Sequence, residues 1–422
     1  MIMDAVRDHT ALFRDSLPMI ASENVTSMLV RRLLMTDLGH RYAEGVVGNR
    51  FYQGCKYIDI IEHEAIESAK KLFRAEHANV QPISGVNANI AAFFALTEPG
   101  EGIMTLTIPH GAHISHVEYS AAGIRGLVNH EHPFDETKMN IDPDLMVKKI
   151  REVRPRVILF GASVFLFPHP VREARDVADE VGAAIVYDGA HVLGLIAGGE
   201  FQDTLREGAD VLTGSTHKTF PGPQGAIILC REALGKKIDQ AVFPGTVSNH
   251  HLHRLAALAV ALCEFKEFGR AYAEQVIRNA QALGQALYER GFKVLGEKLG
   301  FTKSHVLLID VVDTPLKNGR RVEMELEKAG IIVNRNLLPY DIREGRHFME
   351  PGGIRIGTSE LTRLGMKESE MVEVAEFMKR VVIDGEDPKR VARGVAEFRK
   401  GYQYCHYCFE EAAEAYKYLG LR

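Results

Sequence analysis

The sequence predicts an α/β fold built around a large, mostly parallel β-sheet. Short apolar runs alternate along the chain with segments in which apolar residues recur every three or four positions. This alternation is typical of strands that are joined by helices and packed into layers. A length of 422 residues exceeds what one simple core supports, so we expect a large domain and a smaller one.

Four apolar runs predict the buried strands of the large domain. The first two, Val157–Gly161 and Ala183–Asp188, flank a segment from Pro170 to Val181 with the apolar spacing of a helix. The next two are Val211–Thr213 and Gly225–Leu229. Because the carboxyl ends of parallel strands meet at one edge of a sheet, we expect a ligand site at that edge.

A long amphipathic helix is predicted from Glu264 to Arg290, where Gly291 ends it. Such a helix commonly links two domains. Two later runs, His305–Asp310 and Gly353–Gly357, predict antiparallel strands of a second unit. We therefore expect three regions: an N-terminal arm (1–40), a large cofactor-binding domain (41–265), and a linking helix with a small C-terminal domain (266–422).

Composition and charge narrow the class of protein. Apolar residues make up 46% of the chain and charged residues 25%, which is ordinary for a soluble globular enzyme. The net charge of −5 gives no electrostatic reason to expect nucleic acid or an anionic membrane as partner. No apolar run approaches the roughly 18 residues of a membrane helix, and the first residues lack the pattern of a signal peptide. We expect a cytoplasmic protein.

Five scattered cysteines argue against a disulfide framework and for a reducing compartment. Only Cys405 and Cys408 have the spacing of metal ligands. A structural zinc site needs about four ligands, and no second cysteine pair lies nearby in the sequence. We therefore expect two half-buried thiols in an aromatic-rich tail and no metal.

The most informative residues are a carboxylate and a lysine at two neighbouring strand ends. Asp188 closes one predicted strand, and Lys218 follows the next strand after Ser215, Thr216 and His217. Taken singly, each has an ordinary alternative, a helix-capping aspartate and a surface lysine in a turn. In a pyridoxal phosphate site, a lysine forms the Schiff base and a carboxylate keeps the pyridine nitrogen protonated. The pairing of the two residues, in this order, predicts such a site.

Seven motifs then resemble a known family in order and spacing. They are Met19–Ser27, Arg41–Gly45, Asn49–Cys55, Gln81–Asn89, Ser215–Lys218, Val242–Thr246 and Gly353–Thr358. From about residue 19 to about residue 380, the chain closely resembles serine hydroxymethyltransferase.

This resemblance implies the fold-type I pyridoxal phosphate architecture, similar to aspartate aminotransferase, with a smaller α+β C-terminal domain. It implies reversible interconversion of serine and glycine, with transfer of the hydroxymethyl unit to a tetrahydropterin carrier. It also implies a homodimer whose subunits share their active sites.

The resemblance assigns the cofactor contacts residue by residue. Lys218 would carry the cofactor, Asp188 would partner its pyridinium nitrogen, and His113 would stack on its ring. Ser84 and Gly85 precede an apolar stretch, so their amides are expected at a helix N-terminus suited to phosphate, although a plain capped helix would look the same. The further contacts implied are His191 near the phenolic oxygen, Ser163, Gly245, and Tyr42 toward the cofactor phosphate of the neighbouring subunit.

The resemblance also assigns the catalytic and substrate-binding residues. Glu44 would be the acid/base for a proton of the hydroxymethyl group or of the carrier. Ser215 and His217 would act beside Lys218 and Asp188. The amino-acid substrate would be held by Ser22, Tyr52, His191 and Arg355, the arginine through a bidentate fork to the carboxylate.

Four departures from the common family pattern lie around the expected phosphate site and its neighbouring loops. Gln224 stands where arginine is common, and Val86 where a second serine is common. Val247–His251 replaces a glycine-rich loop, and Ser163–Phe165 lacks a tyrosine often found there. These features resemble the archaeal branch of the family, so tetrahydrofolate and a modified pterin such as tetrahydromethanopterin both stay open as the carrier.

Two other functions are compatible with parts of this pattern. A threonine or allo-threonine aldolase of the same fold would need no carrier, and pterin-dependent serine cleavage separates the two activities. A non-catalytic relative could keep the fold as a scaffold, and the usual mark of that class is loss of the lysine or the glutamate. Lys218 and Glu44 are both present, which disfavours the scaffold.

Overall fold

A computed structural model describes residues 1–417 as two compact units. The large unit runs from Leu29 to Arg270, and the small unit combines Met1–Met28 with the chain from Ala271 onward. The first residues thus belong with the C-terminal part of the chain. The predicted boundaries after residues 40 and 265 remain predictions.

The large unit contains a seven-stranded sheet. Its strands are β1 (His77–Asn79), β2 (Gly102–Thr105), β3 (Val128–Glu131), β4 (Val157–Gly161), β5 (Ala184–Asp188), β6 (Val211–Ser215) and β7 (Ala226–Cys230). The spatial order is β1-β7-β6-β5-β4-β2-β3. Strands β2 to β6 pair in parallel, whereas β7 pairs antiparallel with both β6 and β1. This confirms the predicted α/β fold with a mostly parallel sheet.

The central strands are recognisable from sequence because both of their faces are covered. Every residue of β4, β6 and β7 is buried. Strands buried on both faces have continuous runs of apolar residues in the sequence, without the alternation of apolar and polar residues that a half-exposed strand shows. The predicted strand at 157–161 matches β4, and the other three predictions differ from the observed bounds by one or two residues.

Helices of the large unit begin and end where local capping dictates. The Gly85–Leu96 helix starts at Ser84, whose side chain accepts a hydrogen bond from the amide of Asn87. The Val171–Val181 helix ends at Gly182, which adopts a left-handed conformation with φ of 75°. The other helices are Met28–Leu34, Lys56–Phe73, Ala121–Ile124, Pro143–Val153, Leu193–Ala197, Thr204–Glu207 and Glu232–Gln240. Short hairpins pair Gly45–Val46 with Asn49–Arg50 and Phe134–Asp135 with Asn140–Ile141.

A 38-residue helix from Leu252 to Glu289 contributes to both units. It begins well before the predicted start at Glu264. The early turns, including Leu255 and Leu258, are buried on most sides. Residues 254–258 are all buried, including Arg254, so no amphipathic period marks the start of the helix in the sequence.

The small unit has a four-stranded antiparallel sheet. Its strands are β8 (Lys293–Val294), β9 (Val306–Asp310), β10 (Asn334–Asn336) and β11 (Gly353–Gly357), in the order β8-β9-β11-β10. The two strands predicted from sequence, now β9 and β11, pair antiparallel as predicted. The helices are Ile2–Asp15, Gly319–Lys328, Ser359–Arg363, Glu368–Val382 and Pro388–Arg399, and Leu17–Pro18 pairs in parallel with Ile331–Ile332.

The C-terminal tail is more tightly packed than its sequence indicates. Cys405 and Cys408 are each only 1% exposed and lie in an apolar cluster with Val25, Leu364 and Ala415. The prediction of half-buried thiols was therefore wrong, because the tail folds back onto a core of its own unit. Across residues 1–417, no helix combines the length and apolar character that a bilayer span requires.

A buried histidine in the large unit makes stability depend on pH. His132 follows β3, donates a hydrogen bond from Nε2 to the Leu159 carbonyl at 3.1 Å, and stacks on Phe160. Burial lowers its pKa from 6.5 to about 4, because charging the ring would cost its hydration. The nearby His169 has its pKa lowered to about 3 by burial and by the neighbouring histidines.

His132→Leu should flatten the acid side of the stability profile. Above pH 6.5 the His132 ring is neutral in both the folded and the unfolded protein. Between about pH 6.5 and 4 the unfolded chain binds a proton that the folded chain does not, so the folded protein loses stability as the pH is lowered. The His132 contribution is at most about 3 kcal/mol. Thermal midpoints measured from pH 7 to 4 should fall less steeply in the variant. A control, His63→Gln at an exposed position, should follow the wild type; an unchanged slope in His132→Leu would contradict the assignment.

Candidate active site

The site is assembled at the edge where β5 and β6 end. Asp188 is the last residue of β5 and lies beside Thr213 of β6 in the parallel register. Lys218 follows the end of β6 by three residues and is buried, with 8% of its surface exposed. The structure therefore brings the predicted carboxylate and lysine to one edge of the sheet, on adjacent strands.

The loop that carries Lys218 is fixed by its own hydrogen bonds. Thr216 donates from Oγ1 to the Pro223 carbonyl at 2.7 Å, and its amide donates to the Gly225 carbonyl. Thr219 donates from Oγ1 to the carbonyl of His191 at 2.9 Å. The main chain of His191, a predicted site residue, thus holds the residue next to the lysine.

Asp188 is a buried carboxylate with three hydrogen-bond donors. Oδ2 accepts from Asn89 Nδ2 at 2.7 Å and from His116 Nε2 at 2.9 Å, and Oδ1 accepts from the Ala190 amide at 3.0 Å. Burial alone would raise the pKa of Asp188, but the bonds from His116 and Asn89 and the charge of the nearby histidines outweigh it and lower the pKa well below 3.8. The carboxylate therefore stays ionised at neutral pH and suits a pyridinium nitrogen.

Asn89 ties this carboxylate to two further side chains. Its Nδ2 also donates to Ser115 Oγ at 3.0 Å, and its Oδ1 accepts from Thr213 Oγ1 at 2.7 Å. Ser115 Oγ in turn lies 2.8 Å from His113 Nδ1. The predicted ring-stacking residue His113 and the predicted carboxylate Asp188 thus belong to one hydrogen-bond network.

Three residues of this network, Asn89, Ser115 and His116, were not among the predicted site residues. One signal was available, because Asn89 is a buried amide within an otherwise apolar helix. His116 follows His113 by three residues in a short 3₁₀ turn, a pattern that by itself could not reveal its partner 72 residues away.

Three of these groups also have the proximity of metal ligands. The ligand atoms of His113, His116 and Asp188 lie within 4.8 Å of one another. The contact between His116 and Asp188 has the length of a hydrogen bond, and the carboxylate already accepts from Asn89 and Ala190. This arrangement fits an organic ring that takes a proton better than it fits a metal ion.

A helix N-terminus offers a site for phosphate on the same edge. The amides of the first turn of the Gly85–Leu96 helix have no acceptor within the helix, and the helix dipole favours an anion there. A Cβ atom added to Gly85 would lie 2.5 Å from Ser215 Oγ, so glycine leaves room between the helix start and the end of β6. Asn87 Nδ2 donates to the Thr246 carbonyl at 3.2 Å, which places the predicted Gly245 segment beside the same turn. Ser84, Gly85, Ser215 and Gly245 are thus brought together.

Another glycine permits close approach of two loops. Gly161, at the end of β4, has φ of 116°, and a Cβ there would lie 2.2 Å from the Asp188 carbonyl oxygen. The predicted Ser163 follows, and its amide donates to the Gly111 carbonyl at 2.7 Å. The loop that carries Ser163 is thereby fixed against the loop that carries His113.

His217, next to the lysine, is kept neutral. Burial and the charge of Lys218 lower the pKa of His217 to about 4. A neutral imidazole beside Lys218 adds no positive charge to the loop at neutral pH.

A buried arginine holds the segments on either side of the site. Arg254 donates to the carbonyls of Val80 and Ala226 at 2.8 and 2.7 Å, and burial lowers its pKa to about 10. Ala226 directly follows the lysine loop, and Val80 precedes the turn at Ser84 and Gly85 that was predicted to bind phosphate. Arg254, which was not among the predicted site residues, is fully buried, whereas Gln224 of this loop is exposed.

A second group of predicted residues gathers around a hairpin of the large unit. Tyr42 and Tyr52 pack ring to ring, with centroids 5.3 Å apart, and both are exposed. Glu44 lies between these two tyrosines in the sequence and is half-buried. Its Oε1 accepts a hydrogen bond from Ser248 Oγ at 2.6 Å. The predicted acid/base is thus bound by the Val247–His251 loop, which differs from the glycine-rich loop common in the family.

The two remaining predicted residues lie in the small unit. Arg355, in β11, is 9% exposed and donates from Nε and Nη2 to Asn334 Oδ1 at 3.3 and 3.2 Å. Burial lowers its pKa to about 10, so the guanidinium stays charged at neutral pH. Ser22 follows Ala21, which packs on Gly357 of the same strand. The small unit thus places Ser22 and Arg355 near one strand end.

Comparison with known proteins agrees with this geometry. A family model described as serine hydroxymethyltransferase matches residues 1–378. A protein of that name from Methanocella arvoryzae is 62% identical over 409 residues, covering 97% of this chain and 96% of its own. Proteins of the same name from Methanothermobacter thermautotrophicus and Methanocaldococcus jannaschii are 58% and 59% identical, covering 100% and 96% of this chain and 98% and 94% of their own. The chain belongs to the serine hydroxymethyltransferase family.

Proposed function

We propose that the sheet edge around Asp188 and Lys218 is the catalytic site at which this chain interconverts serine and glycine. The reaction follows from family membership, and the chain is accordingly a pyridoxal phosphate-dependent enzyme that uses a folate-type one-carbon carrier. The observation that carries the residue assignment is the ionised, buried Asp188 on the strand next to a buried Lys218.

The residues of this edge fit pyridoxal phosphate at both of its ends. Lys218 would hold the aldehyde through Nζ, Asp188 would hold a proton on the pyridine nitrogen, and the amides near Ser84 and Gly85 would hold the phosphate. His113 and His191 would bind the ring and its phenolic oxygen. Bound in this way, the cofactor supplies an electron sink for the bonds that break at the substrate α-carbon.

We assign the amino-acid carboxylate to Arg355, together with Ser22 and Tyr52. The guanidinium is charged and buried, and its planar fork matches a carboxylate. A charge-assisted pair in a buried site is strong because water does not compete for it.

We assign proton transfer at the serine hydroxyl, or at the carrier, to the carboxylate of Glu44. A general acid/base must reach the proton that it moves with a defined side-chain orientation, and the bond from Ser248 provides one. Ser215 and His217 would keep the lysine loop and its charge in place.

We further propose a homodimer, a cytoplasmic location, and either tetrahydrofolate or a modified pterin such as tetrahydromethanopterin as carrier. Exposed aromatic residues in and after the hairpin support the dimer, since Phe51, Tyr52 and Tyr57 are each exposed and aromatic side chains are common in interfaces. The five free cysteines support a reducing compartment. Assaying the purified enzyme with serine and each pterin tests the carrier, and activity on allo-threonine alone would favour an aldolase.

Lys218→Ala should abolish serine turnover and leave a folded dimer, because Nζ is needed to bind the cofactor covalently and not for the core. The measurements are activity, the visible absorbance of bound pyridoxal phosphate, and mass by light scattering. Lys148→Ala, at an exposed helix position, is the control and should keep all three at wild-type values. A wild-type protein that takes up no pyridoxal phosphate would overturn the proposed site.

Arg355→Ala should weaken serine binding far more than cofactor binding, since it removes the fork to the substrate carboxylate. Truncating one partner of a buried charge pair costs about 2–5 kcal/mol, so the serine dissociation constant should rise at least about 30-fold. Spectroscopic titration with serine measures it, and Arg320→Ala, on the exposed side of a helix, serves as control. A rise of less than about threefold would mean that another residue holds the carboxylate.

Glu44→Gln should collapse pterin-dependent serine turnover by about 10²–10⁴-fold, because the amide keeps the shape of the side chain but cannot transfer the proton. Glycine binding should survive, since it depends on Lys218 and Arg355. Comparing serine turnover in the presence of pterin with carrier-free cleavage of allo-threonine isolates the role. Wild-type rates for both reactions would reduce Glu44 to a structural carboxylate.

A further inference from the structure

Ser248 and Asn249 both contact the segment from Arg41 to Glu44, which lies just before the Gly45–Val46 strand. Ser248 Oγ donates to Glu44 Oε1 at 2.6 Å. Asn249 Oδ1 accepts from the Ala43 amide at 3.0 Å, while its Nδ2 donates to the Arg41 carbonyl at 3.1 Å. One short segment thus binds both the side chain of Glu44 and the main chain before it.

The buried side chain of Arg50 also binds the main chain around Glu44. Arg50 Nη1 donates to the carbonyls of Ala43 and Gly45, each at 2.9 Å, and so brackets Glu44. The Glu44 carbonyl accepts from the Phe51 amide at 3.1 Å. The main chain around Glu44 is therefore held on both sides, and what remains to be oriented is the carboxylate.

Arg50 and the loop residue His250 both bind one buried carboxylate, Glu62. Its Oε2 accepts from Arg50 Nη2 at 2.6 Å and from His250 Nε2 at 3.2 Å, and its Oε1 accepts from Gln81 Nε2 at 2.8 Å. Burial opposes its charge, but His250, Arg50 and Gln81 outweigh burial and lower the pKa of Glu62. An ionised Glu62 thus holds the main chain around Glu44 through Arg50, and the Ser248–His250 segment through His250.

We infer that Ser248 is a positioning residue for catalysis, because it selects the orientation of the Glu44 carboxylate. Among residues 1–417, Ser248 is the one hydrogen-bond donor to that carboxylate. A glutamate has several rotatable bonds, and an unheld one must lose that freedom before it can transfer a proton. The bond engages Oε1 and leaves Oε2 for the transfer. The loop that departs from the common family pattern thereby gains a function of its own.

This inference rests on the proposed role of Glu44, and a double-mutant cycle tests both. Ser248→Ala in the holoenzyme should lower kcat for pterin-dependent serine turnover about 3- to 30-fold and move the KM for serine less than about twofold. Ser248→Thr keeps the hydroxyl and should recover most of kcat. In a Glu44→Gln background, Ser248→Ala should cause no further loss, because the group that it orients is gone.

Ser369→Ala is the matched control. Ser369 also donates to a neighbouring glutamate, Glu370, at 2.9 Å, but on an exposed helix start of the small unit. Its loss should leave kcat unchanged. Ser248 is exposed, so the variant should fold, and Ser248→Gly offers a second way to remove the hydroxyl.

Each other outcome overturns a defined claim. If Glu44→Gln is impaired but Ser248→Ala keeps wild-type kcat, the positioning role is wrong and the proposed function stands. If the losses from Ser248→Ala and Glu44→Gln multiply, Ser248 acts independently of Glu44 and the inference fails. If Glu44→Gln itself turns over at the wild-type rate, the assigned role of Glu44 fails together with the positioning role.

Discussion

The structure depends most on keeping one carboxylate ionised where water cannot reach it. A buried charge is tolerated only when donors replace its hydration, and Asp188 collects those donors from a helix, a 3₁₀ turn and its own loop. Polar residues such as Asn89 and His116 therefore sit at positions where packing alone would place apolar ones. The register of β5 with β6 then determines how far Lys218 lies from the charge.

A second buried carboxylate, Glu62, is also kept ionised by the donors around it. Glu62 holds Arg50 and His250, and those residues hold the strand and the loop on either side of Glu44. The two anions have different partners: Asp188 is assigned to the proposed cofactor, whereas Glu62 binds Arg50, His250 and Gln81. Because breaking either cluster leaves an uncompensated buried charge, both regions resist piecemeal substitution.

Four of the seven strands of the large sheet, the two small-unit strands and the Asp188–Lys218 pair were predictable from sequence, because each is encoded by residues close together in the chain. The strands β1, β2 and β3 were not predicted. An apolar run predicts β4, and a polar residue at its end predicts a site. The partners of those residues were not predictable in this way. Asn89 lies 99 residues from Asp188, and nothing local in either segment states that they meet. The early turns of the Leu252–Glu289 helix were missed because residues 254–258 are all buried and show no amphipathic period.

The distance along the chain between Glu44 and its support has a consequence for biosynthesis. Asn249 binds Ala43 across 206 residues, and Ser248 reaches Glu44 across 204. During synthesis, Glu44 leaves the ribosome early, and most of the large unit is made before Ser248, which binds its carboxylate, is added to the chain. Glu44, the proposed acid/base, is thus synthesised 204 residues before the serine that binds its carboxylate, and a chain that ends before Ser248 lacks that hydrogen bond.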